Sequence, residues 1–288
     1  MKQKGILWVI ALAVLLVCGC TKQEKTVNNP PQAVQSQPEN QDATPEETVE
    51  EDRHPAVLKC AEAQGYVTPQ SAESNTPCLV RLTKHRSDEP SDWISYNLQI
   101  EVETGTQTLK KELSTGEVQR PAGALYFGDV DGDGTQEILV HHEIGGLGGF
   151  GLWQTWVLKV EDHEIRILFE NFNTFDTGFE SRFLEGYQME VKNPGTGYTL
   201  VFDVKQAHRD HIEKAGELPQ GSLVLDPFYV FEPKDVDHDG ISEIICKQYT
   251  AFFSHADYTG TACSVLKFNK ETQSFQVVDA WYEPNSEG

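Results

Sequence analysis

Two segments of the chain place acidic residues at the spacing of an oxygen cage for a cation. Loop 1, residues 129–137, has the sequence Asp-Val-Asp-Gly-Asp-Gly-Thr-Gln-Glu, and loop 2, residues 235–243, has Asp-Val-Asp-His-Asp-Gly-Ile-Ser-Glu. In each loop the carboxylates at positions 1, 3 and 5, on alternate residues, are expected to point inward to one place. Glycine at position 6 permits a sharp turn, and position 7 can offer a backbone carbonyl. Both loops are therefore predicted to bind Ca²⁺, which prefers oxygen ligands.

The loops differ from an EF-hand in their closing ligand. An EF-hand needs a bidentate glutamate at position 12 between two helices, but here position 12 is Val140 or Cys246. The last carboxylate stands at position 9 instead, as Glu137 and Glu243. The alternative to a metal site is a solvated acidic turn, since Asp and Gly favour turns. Four converging carboxylates repel one another without a cation, however, so we expect a bound ion with a structural role.

The elements that must position these loops are predicted to be strands. Short apolar runs, residues 138–140 and 244–246, follow the two loops and favour buried strands. The tripeptide Val-Leu-Lys that ends at Lys159 recurs as one that ends at Lys267. Similar hairpin patterns also precede the loops.

These repeats predict an all-β domain of two tandem six-stranded units, about 93–172 and 184–281. The best helix candidate is residues 54–64, between Pro55 and Gly65.

Residues 127–140, with Phe-Gly ahead of loop 1 and Ile-Leu-Val behind it, resemble the FG-GAP/VCBS-type repeat of integrin-like β-propellers. The resemblance implies a propeller-like fold in which the cation cage lies between neighbouring strands of a blade. Only two motifs occur, and twelve strands are few for a closed ring, so either residues 60–92 add strands or the propeller is degenerate. The ligands that the resemblance implies are the side chains of Asp129, Asp131, Asp133 and Glu137 with the Thr135 carbonyl, and those of Asp235, Asp237, Asp239 and Glu243 with the Ile241 carbonyl.

The N-terminus is predicted to be an export signal. Lys2 and Lys4 precede an uncharged run, residues 6–17, that is too short to span a bilayer. The following Leu-Val-Cys-Gly-Cys resembles the lipobox of bacterial lipoproteins, which implies that residues 1–19 are removed and that Cys20 carries lipid. Residues 20–53, rich in Gln, Pro and acidic residues, are expected to be a disordered tether. Residues 54–288 remain as the folded domain.

Four cysteines lie in the expected folded domain: Cys60, Cys78, Cys246 and Cys263. An even number of cysteines in an exported chain favours disulfides. Four cysteines allow three connectivities, of which we prefer nearest-neighbour pairing, Cys60 with Cys78 and Cys246 with Cys263. A cysteine-rich zinc site is the rival, but no Cys-x-x-Cys spacing supports it.

The formal net charge of −22 argues against nucleic acid as a partner and favours cations or a cationic partner. We expect a membrane-anchored, extracytoplasmic binding module whose loops around 143–152 and 250–260 contact a protein or glycan of the cell envelope. The outer membrane is slightly favoured, because Thr21 rather than Asp follows Cys20.

Two other functions remain open: a purely structural envelope subunit, and a glycan-acting enzyme. In the enzyme, His141, His208 or His255 would join carboxylates in a cleft. His141 and His142 are neighbours on a predicted strand, so they should point to opposite faces and not share one ion. We expect one of them to be buried and the other exposed.

Overall fold

The computed structural model describes residues 57–67, 76–86, 96–113, 123–147, 150–171, 175–215, 223–252 and 258–285. Within these ranges fifteen strands form four antiparallel sheets, and there is one helix. The all-β prediction is confirmed. The predicted signal peptide, the lipidated Cys20, the tether up to residue 53 and His255 lie outside the described residues. The single helix in the described ranges is too short and too polar to cross a membrane.

The first two sheets are meanders in which strands pair in chain order. Sheet 1 contains β1 (Val57–Val67), β2 (Thr76–Arg86), β3 (Tyr96–Thr104) and β4 (Thr108–Leu113). Sheet 2 contains β5 (Gly123–Gly128), β6 (Glu137–Leu147), β7 (Phe150–Val160) and β8 (Ile165–Asn171). Loop 1 joins β5 to β6, as expected.

The second half of the chain repeats this plan with one strand fewer. Sheet 3 contains β9 (Glu180–Leu184), β10 (Gln188–Asn193) and β11 (Tyr198–Asp203), and the helix α1 (Gln206–Ala215) follows. Sheet 4 contains β12 (Val224–Lys234), β13 (Glu243–Ala251), β14 (Tyr258–Asn269) and β15 (Ser274–Pro284). Loop 2 joins β12 to β13, so the two loops occupy equivalent positions in sheets 2 and 4.

Three hydrophobic clusters join the sheets. The first lies between sheets 1 and 2 and contains Leu82, Ile100 and Trp156. The second lies between sheets 2 and 4 and contains Leu139, Phe231 and Ile244. The third packs sheet 3 and α1 against sheet 4. Sheet 2 is therefore covered on both faces, which explains why its strands β6 and β7 carry continuous apolar runs instead of alternating ones.

The sheets follow one another in the spatial order 1, 2, 4, 3, and no closed ring is detected among the described residues. The predicted units 93–172 and 184–281 do contain six strands each, β3–β8 and β10–β15. Hydrogen bonding divides the chain differently, because β2 pairs with β3 and the boundary at residue 93 cuts sheet 1 in half. Residues 60–92 were expected either to add strands or to leave a degenerate propeller. They do add strands, since β1 and β2 lie largely within them.

The prediction of a helix at residues 54–64 is wrong for its described part. Residues from Val57 onward form β1 and pair with β2 on both sides of a bulge at Cys60, so strand pairing overrides the local signals of Pro55 and Gly65. The observed helix, α1, was not predicted. It forms in a polar stretch because Ile212 packs with Val204 into the third hydrophobic cluster.

The predicted disulfides are also contradicted, since none of the four cysteines forms one. Cys246 is paired with Ser264, so Cys263 is displaced by one residue and points to the opposite face of sheet 4. Cys78 pairs with Gly65, whereas Cys60 lies at the bulge between Lys59 and Ala61, farther along β1. That separation is on the order of 13 Å or more along the strand, beyond the reach of a disulfide.

Candidate cation site at the paired loops

Loops 1 and 2 have the same local hydrogen-bond pattern. The first aspartate of each loop accepts a bond from the N–H of the glycine at position 6, at 2.9 Å in loop 1 and 3.1 Å in loop 2. The fifth residue accepts one from the N–H at position 7, and the glutamate at position 9 accepts one from the N–H at position 2. These bonds fold each nine-residue segment around its own carboxylates.

Two positions of each loop have left-handed backbone conformations. Position 6 is glycine in both, with φ of 88° at Gly134 and 90° at Gly240. Position 4 is Gly132 with φ of 67° in loop 1 and His238 with φ of 62° in loop 2. Since a residue with a side chain seldom adopts such a φ, the glycine at position 6 was a reliable sequence signal for the turn.

The structure brings three predicted ligands together in each loop. Carboxylate oxygens of Asp129, Asp131 and Glu137 lie within 4.8 Å of one another, as do those of Asp235, Asp237 and Asp239. The other predicted side-chain ligands, Asp133 and Glu243, join these groups through a lysine, described below. Thr135 and Ile241 donate their backbone N–H groups to the aspartate at position 5. Their roles as carbonyl ligands stay predictions.

Glu137 is the most unusual carboxylate of the site. Its side chain is fully buried, and its Oε2 accepts a 2.9 Å hydrogen bond from the Val130 N–H. Its Oε1 is buried and has no hydrogen-bond partner. Burial raises the pKa of Glu137 to about 7, and the nearby charge of Asp131 adds to the rise. A buried carboxylate in this state is costly to ionise unless a cation faces it.

A lysine ammonium group contacts three of the four carboxylates of each loop, those at positions 3, 5 and 9. In loop 1, Lys159 Nζ contacts Asp131, lies 2.6 Å from Asp133 Oδ2 and 3.5 Å from Glu137 Oε1. In loop 2, Lys267 Nζ lies 2.9 Å from Asp237 Oδ2, 3.1 Å from Asp239 Oδ2 and 2.7 Å from Glu243 Oε1.

The lysine contacts shift the pKa values of the groups around them. Burial lowers the pKa of Lys159, but hydrogen bonds to Asp131 and Asp133 raise it by more. The pKa of Lys159 is therefore well above its ordinary value. Burial raises the pKa of Asp133, yet hydrogen bonds from Lys159 and Thr135 hold it below its ordinary value. The carboxylates of each loop thus fit a cation, and an ammonium group pairs with three of them.

The register between neighbouring strands places these lysines next to the loops. Leu158 pairs with Ile138, which sets Lys159 beside Glu137, and Leu266 pairs with Ile244, which sets Lys267 beside Glu243. Neither lysine was predicted as a site residue. The signal that could have identified them is the Val-Leu-Lys tripeptide, which recurs at nearly the same distance after each loop.

The two loops contact each other across the interface between sheets 2 and 4. The Ser242 N–H donates a 2.7 Å hydrogen bond to the Asp129 carbonyl, and Lys270 Nζ donates one of 2.9 Å to the Gly132 carbonyl. Gly128, just before loop 1, approaches sheet 4 so closely that a Cβ there would lie 2.7 Å from that of Pro233. The sites therefore form one paired unit rather than two distant ones.

His141 and His208, the histidines proposed for an enzyme that lie among the described residues, do not join these carboxylates. His141 Nε2 lies 2.9 Å from the Phe228 carbonyl, and its ring stacks on Trp153. His208 packs edge-on against Phe252. Groups of three or more His, Cys, Asp or Glu with converging ligand atoms occur, in the described part of the chain, at the two loops alone, and neither group contains a histidine.

His141 and His142 point to opposite faces of sheet 2, as expected, but the prediction that one is exposed is wrong. Both are buried because both faces of this sheet are covered. Burial lowers the pKa of His141 to about 4 and that of His142 to about 3, with a further contribution to His142 from the Lys84 charge. Neither ring nitrogen of His142 has a hydrogen-bond partner.

Comparison with known proteins gives one family and one relative. Residues 177–283, which include sheets 3 and 4 and loop 2, match the family described as the YybI C-terminal domain. The chain is also similar to the "Uncharacterized protein YybI" of Bacillus subtilis (strain 168), with 25% identity over 159 residues. That match covers 53% of this chain and 60% of the relative's length. No solved structure matches the chain significantly.

Proposed function

We propose that the chain is a Ca²⁺-binding β scaffold in which loops 1 and 2 are the cation sites. The side chains of Asp129, Asp131, Asp133 and Glu137, with the Thr135 carbonyl, would hold the ion in loop 1, and Asp235, Asp237, Asp239, Glu243 and the Ile241 carbonyl would hold it in loop 2. The bound ion supplies positive charge that offsets the converging carboxylates. The ion's role is structural.

The observation that carries this proposal is the position of the two loops against each other. Each loop connects the first two strands of its sheet. The hydrogen bond from the Ser242 N–H to the Asp129 carbonyl joins the two loops across the interface between sheets 2 and 4. A cation that orders either loop therefore also orders that interface. The buried Oε1 of Glu137 supports a cation as the ligand, since it accepts no hydrogen bond and faces the Lys159 ammonium group at 3.5 Å.

The size of the effect follows from binding linkage. Extracellular Ca²⁺ modules bind with dissociation constants on the order of 10⁻⁴ to 10⁻³ M. A single site in 100-fold excess of free ligand over its dissociation constant stabilises the folded state by about 2.7 kcal/mol. The effect is to be measured by thermal unfolding of the purified chain in CaCl₂ and in a chelator.

We expect a higher melting temperature in CaCl₂ than in chelator. The double variant Asp131→Ala with Asp237→Ala should remove the difference, because each loop loses a central carboxylate. Glu180→Ala with Glu185→Ala, two carboxylates of sheet 3 away from the loops, is the charge-matched control and should keep it. Superimposable wild-type curves in the two solutions would refute the proposal.

The location and partners of the scaffold rest on the sequence. We propose that lipid on Cys20 anchors the chain to a membrane outside the cytoplasm, with the outer membrane favoured, and that residues 21–53 act as the tether. We also propose that the four meanders are blade-like units, as the FG-GAP/VCBS resemblance implies, arranged in an open row. The segments around 143–152 and 250–260, which were expected to be loops but whose described residues lie largely in the ends of β6, β7, β13 and β14, would then contact an envelope protein or glycan, and the acidic surface favours a cationic one.

A further inference from the structure

Each lysine ammonium group and a bound Ca²⁺ compete for the same oxygens. Ca²⁺ binds oxygen ligands at about 2.3–2.6 Å. In loop 1, Asp131, Asp133 and Glu137 all face Lys159 Nζ, and in loop 2 the corresponding three carboxylates face Lys267 Nζ. A metal ion bound to these oxygens would lie where the ammonium group now lies. Ca²⁺ binding at either loop therefore requires that its lysine leaves.

The two lysines differ in how readily they can leave. The side chain of Lys159 is 5% exposed, and its partners Asp131 and Glu137 are 11% and 0% exposed. The side chain of Lys267 is 32% exposed, and its partners Asp237 and Asp239 are 53% and 42% exposed, although its third partner, Glu243, is 3% exposed. Lys267 can rotate its ammonium group into water. Lys159 would have to keep its charge close to a divalent ion, where the two repel each other strongly.

Contacts from the second half of the chain also restrict loop 1. Lys270 Nζ donates to the Gly132 carbonyl at 2.9 Å. The Ile241 side chain lies so close to Gly132 that a Cβ there would be 2.6 Å from its Cδ1. At the equivalent position of loop 2 the residue is His238, which is exposed, whereas Gly132 is half-buried. Loop 1 is thus held in its present shape while loop 2 has room to adjust.

Resting on the Ca²⁺ binding proposed above but narrowing it to one of the two loops, we infer that Lys159 takes the place of a metal ion in loop 1 and that loop 2 is the exchangeable Ca²⁺ site. The chain then takes up one Ca²⁺, at loop 2, and the lysine of loop 1 offsets part of the negative charge of its carboxylates without metal. The buried Oε1 of Glu137, which faces Lys159 Nζ at 3.5 Å and accepts no hydrogen bond, is an oxygen that a metal would reach once Lys159 is removed. Lys267 sets the affinity of loop 2 by competing with the ion.

The test is isothermal titration of the purified chain with CaCl₂, read as the number of ions bound and their dissociation constant. We expect one Ca²⁺ per wild-type chain. Lys267→Met should tighten that binding about tenfold, the equivalent of a few partly exposed ion pairs. Lys159→Met should add a second ion. Lys247→Met is the matched control, because it removes a lysine of sheet 4 that pairs with Glu283 at 3.1 Å and touches neither loop; it should change neither value.

Single carboxylate variants assign the ion to a loop. Asp237→Ala should abolish binding to the wild-type chain, whereas Asp131→Ala should leave one ion bound. This pair also decides the question if Lys159→Met fails to fold, which far-ultraviolet circular dichroism would reveal. Two ions of similar affinity in the wild type, or loss of binding in Asp131→Ala but not in Asp237→Ala, would overturn the inference while leaving the proposed function intact. No Ca²⁺ bound by the wild type or by either lysine variant would overturn both.

Discussion

Acid should weaken the fold through the two buried histidines of β6, and His142 gives the clearest test. Its imidazole is fully buried between sheets 1 and 2 with neither nitrogen hydrogen bonded, and burial lowers its pKa to about 3. In the unfolded chain its pKa is about 6.5. Between these values the unfolded chain binds a proton that the folded chain excludes. The stability that His142 contributes is therefore present above about pH 6.5 and is lost as the pH falls toward 3.

The magnitude follows from this difference in proton binding. From about pH 7.5 to about pH 5, one histidine that stays neutral in the folded state costs about 2 kcal/mol of stability. His141, whose pKa burial lowers to about 4, adds a similar amount, so the two together cost about 4 kcal/mol over this range. Replacing His142 by leucine removes one of the two contributions. The variant should lose about 2 kcal/mol less than the wild type on the same acidification.

Urea unfolding at the two pH values measures this directly, because the comparison uses the change with pH in each protein and not its absolute stability. His163→Leu is the control, since His163 is exposed in the turn between β7 and β8. It should lose as much stability as the wild type. If His142→Leu also loses as much as the wild type, then folded His142 accepts a proton near pH 5 and the burial argument is refuted.

Two further predictions test the contact between the sheets and the anchor. Gly128→Ala should destabilise the fold by about 1–3 kcal/mol in urea unfolding, because its Cβ would meet Pro233 and Ser242. Gly105→Ala is the control, since Gly105 has open space around it, and should change the stability by no more than about 0.5 kcal/mol. Equal effects of the two substitutions would contradict the close approach. Cys20→Ala should move the chain from the membrane fraction to the soluble fraction of cells that express it; unchanged membrane association would exclude lipid on Cys20 as the anchor.

The parts of the fold that local sequence determines were predictable. The carboxylate spacing and the glycine at position 6 specify each loop within nine residues, and the apolar runs behind the loops identified β6 and β13 as strands. Site residues that other strands contribute to the loops could not be predicted in this way. Lys159 reaches loop 1 only through the register of β7 on β6, which pattern analysis of a single strand does not contain.

The errors have the same origin in long-range packing. A histidine pair on a strand alternates between faces, but whether both faces are buried depends on sheet 2 lying between sheets 1 and 4. The count of cysteines favours disulfides, yet the register of β13 on β14 places Cys246 and Cys263 on opposite faces. Pro55 and Gly65 are typical of helix ends, but pairing with β2 decides the conformation of β1.

The central claim is that a cation at the paired loops joins sheets 2 and 4. Hydrogen exchange of the backbone amides, followed with and without CaCl₂, tests it most directly, because the Ser242 amide donates to Asp129 across that interface. We expect Ca²⁺ to slow exchange in the segments 129–137 and 235–243, and Asp237→Ala to abolish the slowing. Exchange in both segments that is identical with Ca²⁺ and with chelator would contradict it.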